Sequence, residues 1–196
     1  MGRGTLTVDK ARIEQGVRLI LEGIGEDPDR QGLRDTPRRV AEMYEEIMAG
    51  HTEDLSVIVA PICSDRHQEM VLVRDITFHS LCEHHLTPFF GVAHVAYIPS
   101  KNGQITGISK IVRLVRTAAA RLQLQERLTS TIADVLVSSL QPAGVLVLIQ
   151  AEHLCMSMRG VRAPGSKVVT SAVRGIFHTN AATRAEVLSL IEAPRS

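Results

Sequence analysis

Near the N-terminus, apolar residues recur at helical spacing: Ile13, Val17, Ile20, Leu21 and Ile24 share one stripe. Asp9 stands where an N-cap belongs, and Gly23 or Gly25 marks the stop. A polar turn over 26–35 leads to Thr36-Pro37, a capping residue followed by proline at the first helical position. Val40, Met43, Tyr44 and Ile47 give the second helix its apolar stripe, with Gly50 as terminator. Residues 51–68 read as a connection, of which 55–62 is apolar enough to dock on a core.

From Met70 the period changes. Residues 70–79 and 92–98 are rich in β-branched side chains and predict strands. Helical spacing returns over 108–124 and 126–140, with Ile111, Leu114, Val115 and Leu122 on one stripe and Leu128, Ile132, Val135 and Leu136 on the next. Two further strands are expected at 144–159 and 168–177, and a closing helix at 183–191. The order strand, strand, helix, helix, strand, strand predicts an α+β fold, an antiparallel four-stranded sheet with two helices on one face. The expected division is an N-terminal helical segment with its connection, 1–68, and a second domain, 69–196.

Composition narrows the classes. A chain of 196 residues with 44% hydrophobic content suffices for one domain with a sizeable core and an appended helical segment. Lys and Arg number 22 against 21 acidic residues, so no overall field recruits nucleic acid or an anionic membrane. Few aromatics and no Trp argue against stacking platforms for single strands. No apolar run reaches the length of a membrane span, and residues 1–25 lack a signal-peptide pattern. Three cysteines argue against a disulfide framework and for a reducing compartment, so a cytoplasmic location is expected. Cys63, in a Pro-containing stretch, reads as ordinary.

The chemistry lies in two fragments, Cys82-Glu83-His84-His85 and the run from Glu152 to Arg159. Cys82, His85 and Cys155 suit a zinc ion, and His84 and His153 are spare imidazoles beside them. Structural zinc sites close with four protein ligands, whereas a catalytic site keeps one position for water. Three ligands with proton-transfer groups alongside therefore point to a hydrolase. From His153 to Arg159 polar and apolar residues alternate, so a strand there would carry His153, Cys155, Ser157 and Arg159 on one face. Alternation alone also fits a half-solvated strand, although Cys is unusual on a solvated face. Cys82 and His85, three apart, meet on one side of a helical turn.

Two helix starts add to this. Ser109, read as a capping residue, stands with Lys110 and Arg113 in one opening turn. Cations there oppose the helix dipole, a conflict that a bound phosphate resolves; the competing reading is solvated basic residues on an exposed turn. At Leu124-Gln125-Glu126-Arg127 the carboxylate fits two roles, complementing the dipole or accepting N1–H and the exocyclic amine of guanine. The residues alone leave both open.

In four blocks the chain resembles GTP cyclohydrolase I: Ser80-Leu81-Cys82-Glu83-His84-His85, Gly107-Ile108-Ser109-Lys110, the run from Leu122 to Thr129, and Met158-Arg159-Gly160-Val161. The likeness extends from about Thr36-Pro37-Arg38-Arg39-Val40 to the C-terminus. It implies hydrolytic opening of the guanine five-membered ring of GTP, release of formate, and rearrangement to 7,8-dihydroneopterin triphosphate for folate or pterin synthesis. It also implies the tunnelling fold, with subunit sheets joined into a barrel and two pentamers stacked as a decamer. Carried over by position, the zinc ligands are Cys82, His85 and Cys155, and the acid/base pair is His84 and His153. The guanine-reading pair falls on Gln125 and Glu126. The triphosphate contacts fall on Ser109, Lys110, Arg113 and Arg159, with a neighbouring subunit's arginine matching Arg39, or Arg38 beside it. The chain departs at Ala118 and Ala120, where many members have an aromatic and an arginine, and at an insertion, Lys101-Asn102-Gly103.

On that resemblance, zinc supplies hydroxide at neutral pH for attack at C8. His153 protonates N7, and His84 shuttles protons later. A nucleobase deaminase would need a His-x-Glu and Pro-Cys-x-x-Cys signature, which is missing. A non-catalytic zinc module would need a fourth ligand, and His51, His67, His79, His94 and His178 sit in no motif. A relative that opens GTP but yields another product is the remaining alternative.

Overall fold

The computed structural model describes residues 8–63, 67–101 and 104–194. Asn102 and Gly103 of the lengthened turn, and the side chain of Cys63, lie outside the described set. The chain forms two compact units that divide between Glu53 and Asp54.

The first unit pairs α1 (Lys10–Gly23) with α2 (Thr36–Ile47). Asp9 caps α1 by accepting from the Arg12 N–H at 3.1 Å, and Gly25 leaves the helix at φ +86°, a conformation open to glycine. Asp35 occupies the cap position of α2, so Thr36 and Pro37 are already helical, one residue earlier than the Thr36 cap expected. Pro37 fits because first-turn N–H groups have no intrahelical acceptor. A short 3₁₀ turn, Ala49–His51, carries the chain past the stop expected at Gly50. Leu21 and Ala41 are buried between the helices, and Lys10 pairs with Glu45 at 3.0 Å. Within this unit Ile20 and Ile24 of the α1 stripe remain 63% and 68% exposed, with Leu19 beside them, so part of that stripe has no cover among the unit's described residues.

The second unit begins with α3 (Leu55–Ile58), whose Leu55 and Ile58, with Val59, enter the core. Strand β1 (Ile62–Cys63) pairs antiparallel with β4 (Gln104–Ile105). The main sheet consists of β2 (Val71–Cys82), β3 (Pro88–Ile98), β5 (Leu122–Gln123), β6 (Gly144–His153) and β7 (Val168–Gly175), in the order β5-β2-β3-β6-β7. Four strands are antiparallel as expected; β5 adds a short parallel edge beside Leu81 and Cys82. It is cut from the end of the helix expected over 108–124, because α4 (Ile108–Ala119) stops at Ala119 and α5 (Gln125–Leu140) follows.

Helices α4 and α5 bury their stripes against one face of the sheet. Val145, Val147, Ile149 and Ala151 of β6 meet Ile111, Leu114, Leu128, Ile132 and Leu136 there. The alternate residues Leu146 and Leu148 face the other side, where Phe177 of α7 (Ile176–Thr179) and Val187 of α8 (Ala181–Glu192) cover them. The closing helix thus packs on the face opposite α4 and α5. A bulge in β2 between Val73 and Ile76, with Asp75 at φ +60°, resets the alternation. Beyond it Ile76, Phe78 and Cys82 point to the α4/α5 face. At Gly91 the β6 backbone comes so close that a Cβ would lie 2.0 Å from Gln150 O.

Candidate active site

Strand β6 ends at His153, and residues 154–157 coil into a single helical turn, α6 (Leu154–Ser157). The alternating strand expected through Arg159 is therefore not formed. Its neighbour β3 begins at Pro88, which has no N–H to donate, and the Thr87 carbonyl is taken by the Cys82 N–H at 2.9 Å. With no ladder to join, the chain after His153 forms its own bonds, Met158 N–H to Leu154 O at 3.0 Å and Ser157 Oγ to His153 O at 3.1 Å.

Cys82 ends β2, and the chain turns tightly before β3. Leu86 N–H donates to Cys82 O at 2.9 Å, and Leu86 takes φ +54°. Glu83 N–H donates to Gln123 O at 3.1 Å, and the Glu83 carboxylate pairs with Arg127 of α5. The turn is tied to β5 and α5 on one side and faces α6 on the other. As a result, one ligand atom each from Cys82, His85 and Cys155 lies within 4.8 Å of the others. Burial and then the adjacent Cys82 thiol push the Cys155 thiol above its ordinary proton affinity, while the Thr87 hydroxyl acts in the opposite direction. Two thiols and an imidazole packed this closely form a donor set for a soft or borderline cation, which takes both sulphurs as thiolates.

His153 is fixed more firmly than spacing revealed. Its ring stacks on Phe89 with centroids 4.5 Å apart and planes 2° from parallel. Gln125 Oε1 lies 2.7 Å from His153 Nε2. The Gln125 Nε2 amine donates to Ile149 O at 3.2 Å, Val168 O at 3.0 Å and Thr170 Oγ1 at 3.1 Å, which settles the direction of the amide. Its oxygen therefore faces the ring, and His153 carries a proton on Nε2. Burial lowers the proton affinity of His153, and the Glu126 carboxylate partly opposes it. The Gln125 side chain is thus committed inside the protein, whereas Glu126 is exposed at the α5 start and has no hydrogen-bonded partner among the described residues.

Cys82, His84, Gln125, Glu126, His153 and Cys155 share the wall of one cavity of about 190 Å³. That volume is below the roughly 300–1,000 Å³ of typical small-molecule pockets. His84 is exposed, edge-on to His85, and Arg159 Nη1 lies 3.0 Å from His85 Nε2. A larger hollow of about 590 Å³ lies on the opposite face beneath α8 and holds none of the candidate residues.

Ser109, Lys110 and Arg113 are elsewhere. The C-terminal end of α4 reaches the site, where Ser80 Oγ donates to Ala119 O at 2.7 Å. The N-terminal end lies by Tyr97, whose hydroxyl accepts from Thr106 N–H at 3.3 Å and whose partners Val71 and Val145 mark the far end of the sheet. Twelve helical residues separate the two ends by about 16 Å. Within one chain none of Ser109, Lys110 and Arg113 lines the cavity that holds the cysteines and His153. Gly107, not Ser109, is the N-cap of α4, and no side chain caps it. Arg39 lies in the first unit, 3.4 Å from Asp35, and Arg38 pairs with Glu42 at 2.8 Å. Ala118, one of the departures, is fully buried and its carbonyl accepts from Gln123 Nε2 at 2.8 Å.

Comparison with known proteins decides the family. The family model for GTP cyclohydrolase I matches residues 13–192. The chain belongs to the GTP cyclohydrolase I family. It is 62% identical over 184 residues to GTP cyclohydrolase 1 of Carboxydothermus hydrogenoformans, covering 94% of this chain and 95% of that one. GTP cyclohydrolase 1 of Geobacillus kaustophilus is 60% identical, with 95% and 98% covered. That of Bacillus subtilis is also 60% identical, with 94% and 97% covered. Among the described residues no helix is long and apolar enough to cross a membrane.

Proposed function

We propose that this chain is the enzyme that opens the imidazole ring of GTP at C8, releases formate and closes the product to 7,8-dihydroneopterin triphosphate, in the cytoplasm. The observation that carries the reading is the convergence of Cys82, His85 and Cys155 beside His153 and Glu126, in a member of this family. Zinc is the metal that best suits two thiolates and an imidazole, and when bound it supplies a Lewis acid that makes water nucleophilic near neutral pH.

The protein's own groups do the rest. Glu126 meets the N1–H and exocyclic amine of guanine, since its carboxylate has no hydrogen-bonded partner among the described residues and lines the same cavity. Gln125 serves this arrangement by holding His153 rather than by offering its own amide. His153 keeps its Nε2 proton on Gln125, which leaves Nδ1 as the ring atom able to take up a proton and pass it to N7 of the base. His84, exposed at the cavity wall, carries protons in formate release and in the later sugar rearrangement. Arg159 binds the triphosphate. The phosphates contribute binding energy that positions the base.

Ser109, Lys110 and Arg113 serve a neighbouring subunit's site, and Arg39 of the N-terminal unit likewise crosses to a neighbour. Three observations support such an assembly. The basic cluster stands at the far end of α4, the cavity in one chain is small for a nucleoside triphosphate, and β7 is a sheet edge open to another chain. Ring closure and stacking into a decamer of two pentamers would cover these edges. Incubation with GTP, followed by fluorescence of the oxidised product and a formate assay, tests the activity. Formate without the pterin fluorescence would identify a relative that opens the ring and stops; neither signal, with metal bound, would overturn the reading.

A further inference from the structure

Arg127 is the third residue of α5, where a cation opposes the helix dipole and is an odd choice for stability alone. Its guanidinium meets three acceptors. Nε donates to Gln123 Oε1 at 3.1 Å, and Nη2 donates to Leu122 O at 3.1 Å and to the Glu83 carboxylate. Gln123 is itself buried and fixed. It pairs with Cys82 in the β2–β5 register, and its Nε2 donates to Ala118 O at 2.8 Å, which leaves its oxygen for Arg127. The Gln123 carbonyl also accepts the Glu83 N–H at 3.1 Å. Glu83 is thus held by both its backbone and its side chain. The backbone bonds that follow it, from His85 N–H and Leu86 N–H to Cys82 O at 3.4 and 2.9 Å, are internal to the turn. His84 and His85 come directly after Glu83, so its attachment directs both imidazoles. On the other side of the clamp, Glu126 precedes Arg127 in α5 and lines the same cavity as His84.

We propose that Arg127 is a positioning residue: its guanidinium locks the turn carrying His84 and His85 to the first turn of α5. It thereby sets the distance between the proton-transferring side of the cavity and the carboxylate that reads the base. The inference rests on the function proposed above for the roles of His84, His85 and Glu126. A planar fork can satisfy three acceptors at once, whereas a lysine ammonium would keep the charge pair with Glu83 and lose the rest. The Arg127 and Glu83 side chains are 47% and 31% exposed, so solvent screens their attraction and the pair contributes little to stability. Its value is geometric. Reacting groups displaced by about 1 Å can lose on the order of a hundredfold in rate.

The test uses the full-length protein with saturating zinc, in wild type, Arg127→Ala, Arg127→Lys, Glu83→Ala and the double variant Arg127→Ala/Glu83→Ala. Formate release from GTP gives kcat and KM, and bound zinc and circular dichroism are measured on the same samples. In Arg127→Ala kcat should fall about tenfold to a hundredfold with KM for GTP little changed. Added guanidinium ion, well below denaturing concentration, should restore part of the rate. Equal recovery with sodium at the same ionic strength would assign the effect to salt and overturn the inference. Arg127→Lys should stay impaired. Glu83→Ala should reproduce most of the loss, and the double variant should be no slower than Arg127→Ala, as for two residues acting through one contact. Where Arg127→Ala fails to fold, the Arg127→Lys and Glu83→Ala comparison decides. Wild-type kcat in Arg127→Ala would overturn the inference, and so would wild-type kcat in Arg127→Lys, because charge alone would then suffice. Losses that multiply in the double variant would also overturn it, as would an unchanged kcat with a raised KM, which would make Arg127 a substrate-binding group. No formate from zinc-loaded wild type would bring down the proposed function itself; a normal wild type beside an indifferent Arg127→Ala would leave that function standing.

Discussion

His153 is held from two directions: Phe89 lies against its ring and Gln125 Oε1 takes its Nε2 proton. Such a side chain is positioned before any substrate arrives, so removing it should cost chemistry more than binding. His153→Ala should retain its metal and still bind GTP while formate release collapses, as metal analysis and a formate assay would show; wild-type release would deny it the proton-donor role. Burial also holds its folded-state pKa below the ordinary value of 6.5. Between those two values the unfolded chain binds more protons than the folded one, so this residue's contribution is complete above about pH 6.5 and is lost as pH falls through the window. Denaturation of the metal-free protein should therefore show a shallower acid loss of stability in His153→Phe than in wild type. For Glu126, exchange to Gln sets a donor against the guanine N–H groups, and GTP turnover should fall about tenfold or more with metal content intact. The cysteines and histidines were legible at this scale because their residue types are rare and chemically narrow. The commitment of Gln125 was not, since its partners Ile149, Val168 and Thr170 are distant in sequence and two of them are met through the backbone.

Among the elements, periodicity located the longer helices, α1, α2, α4, α5 and α8, and the four long strands, because each buries a face of fixed period. It failed where partners ran out. Alternation from His153 to Arg159 still reads as a strand, yet Pro88 ends the neighbouring strand and the segment coils into α6. Local pattern cannot register the loss of a partner belonging to another part of the chain. Nor does it disclose Gly91, which stands between Phe90 and Val92 with nothing local to mark it. There the β6 backbone occupies the space a side chain would need. Gly91→Ala must push β6 from β3 close to the Phe89–His153 pair. We expect a stability loss of about 1–3 kcal/mol or more in denaturant melts, the usual range for overpacking, with weaker formate release from whatever remains folded. A fully stable and active Gly91→Ala protein would show that the ladder yields easily at that point.

For the whole molecule, the decisive separation is that between the two ends of α4, about 16 Å apart by helical rise. The resemblance assigns Ser109, Lys110, Arg113 and Arg159 to the triphosphate together, and a list of residues contains no distances. If neighbouring chains complete each other's sites, two inactive variants should rescue one another. Lys110→Ala mixed with His153→Ala should recover part of the activity after subunit exchange, because some sites then pair an intact lysine with an intact histidine. No recovery after confirmed exchange would assign both residues to the same chain's site. The arrangement also sets how damage spreads through a mixed population. A copy defective only at Lys110 spoils one site, its neighbour's, so activity falls linearly with the fraction of such copies. A copy defective at both ends spoils its own site and its neighbour's, and activity then follows the square of the intact fraction. Poisoning of good subunits by bad ones thus becomes a property written into the length of a single helix.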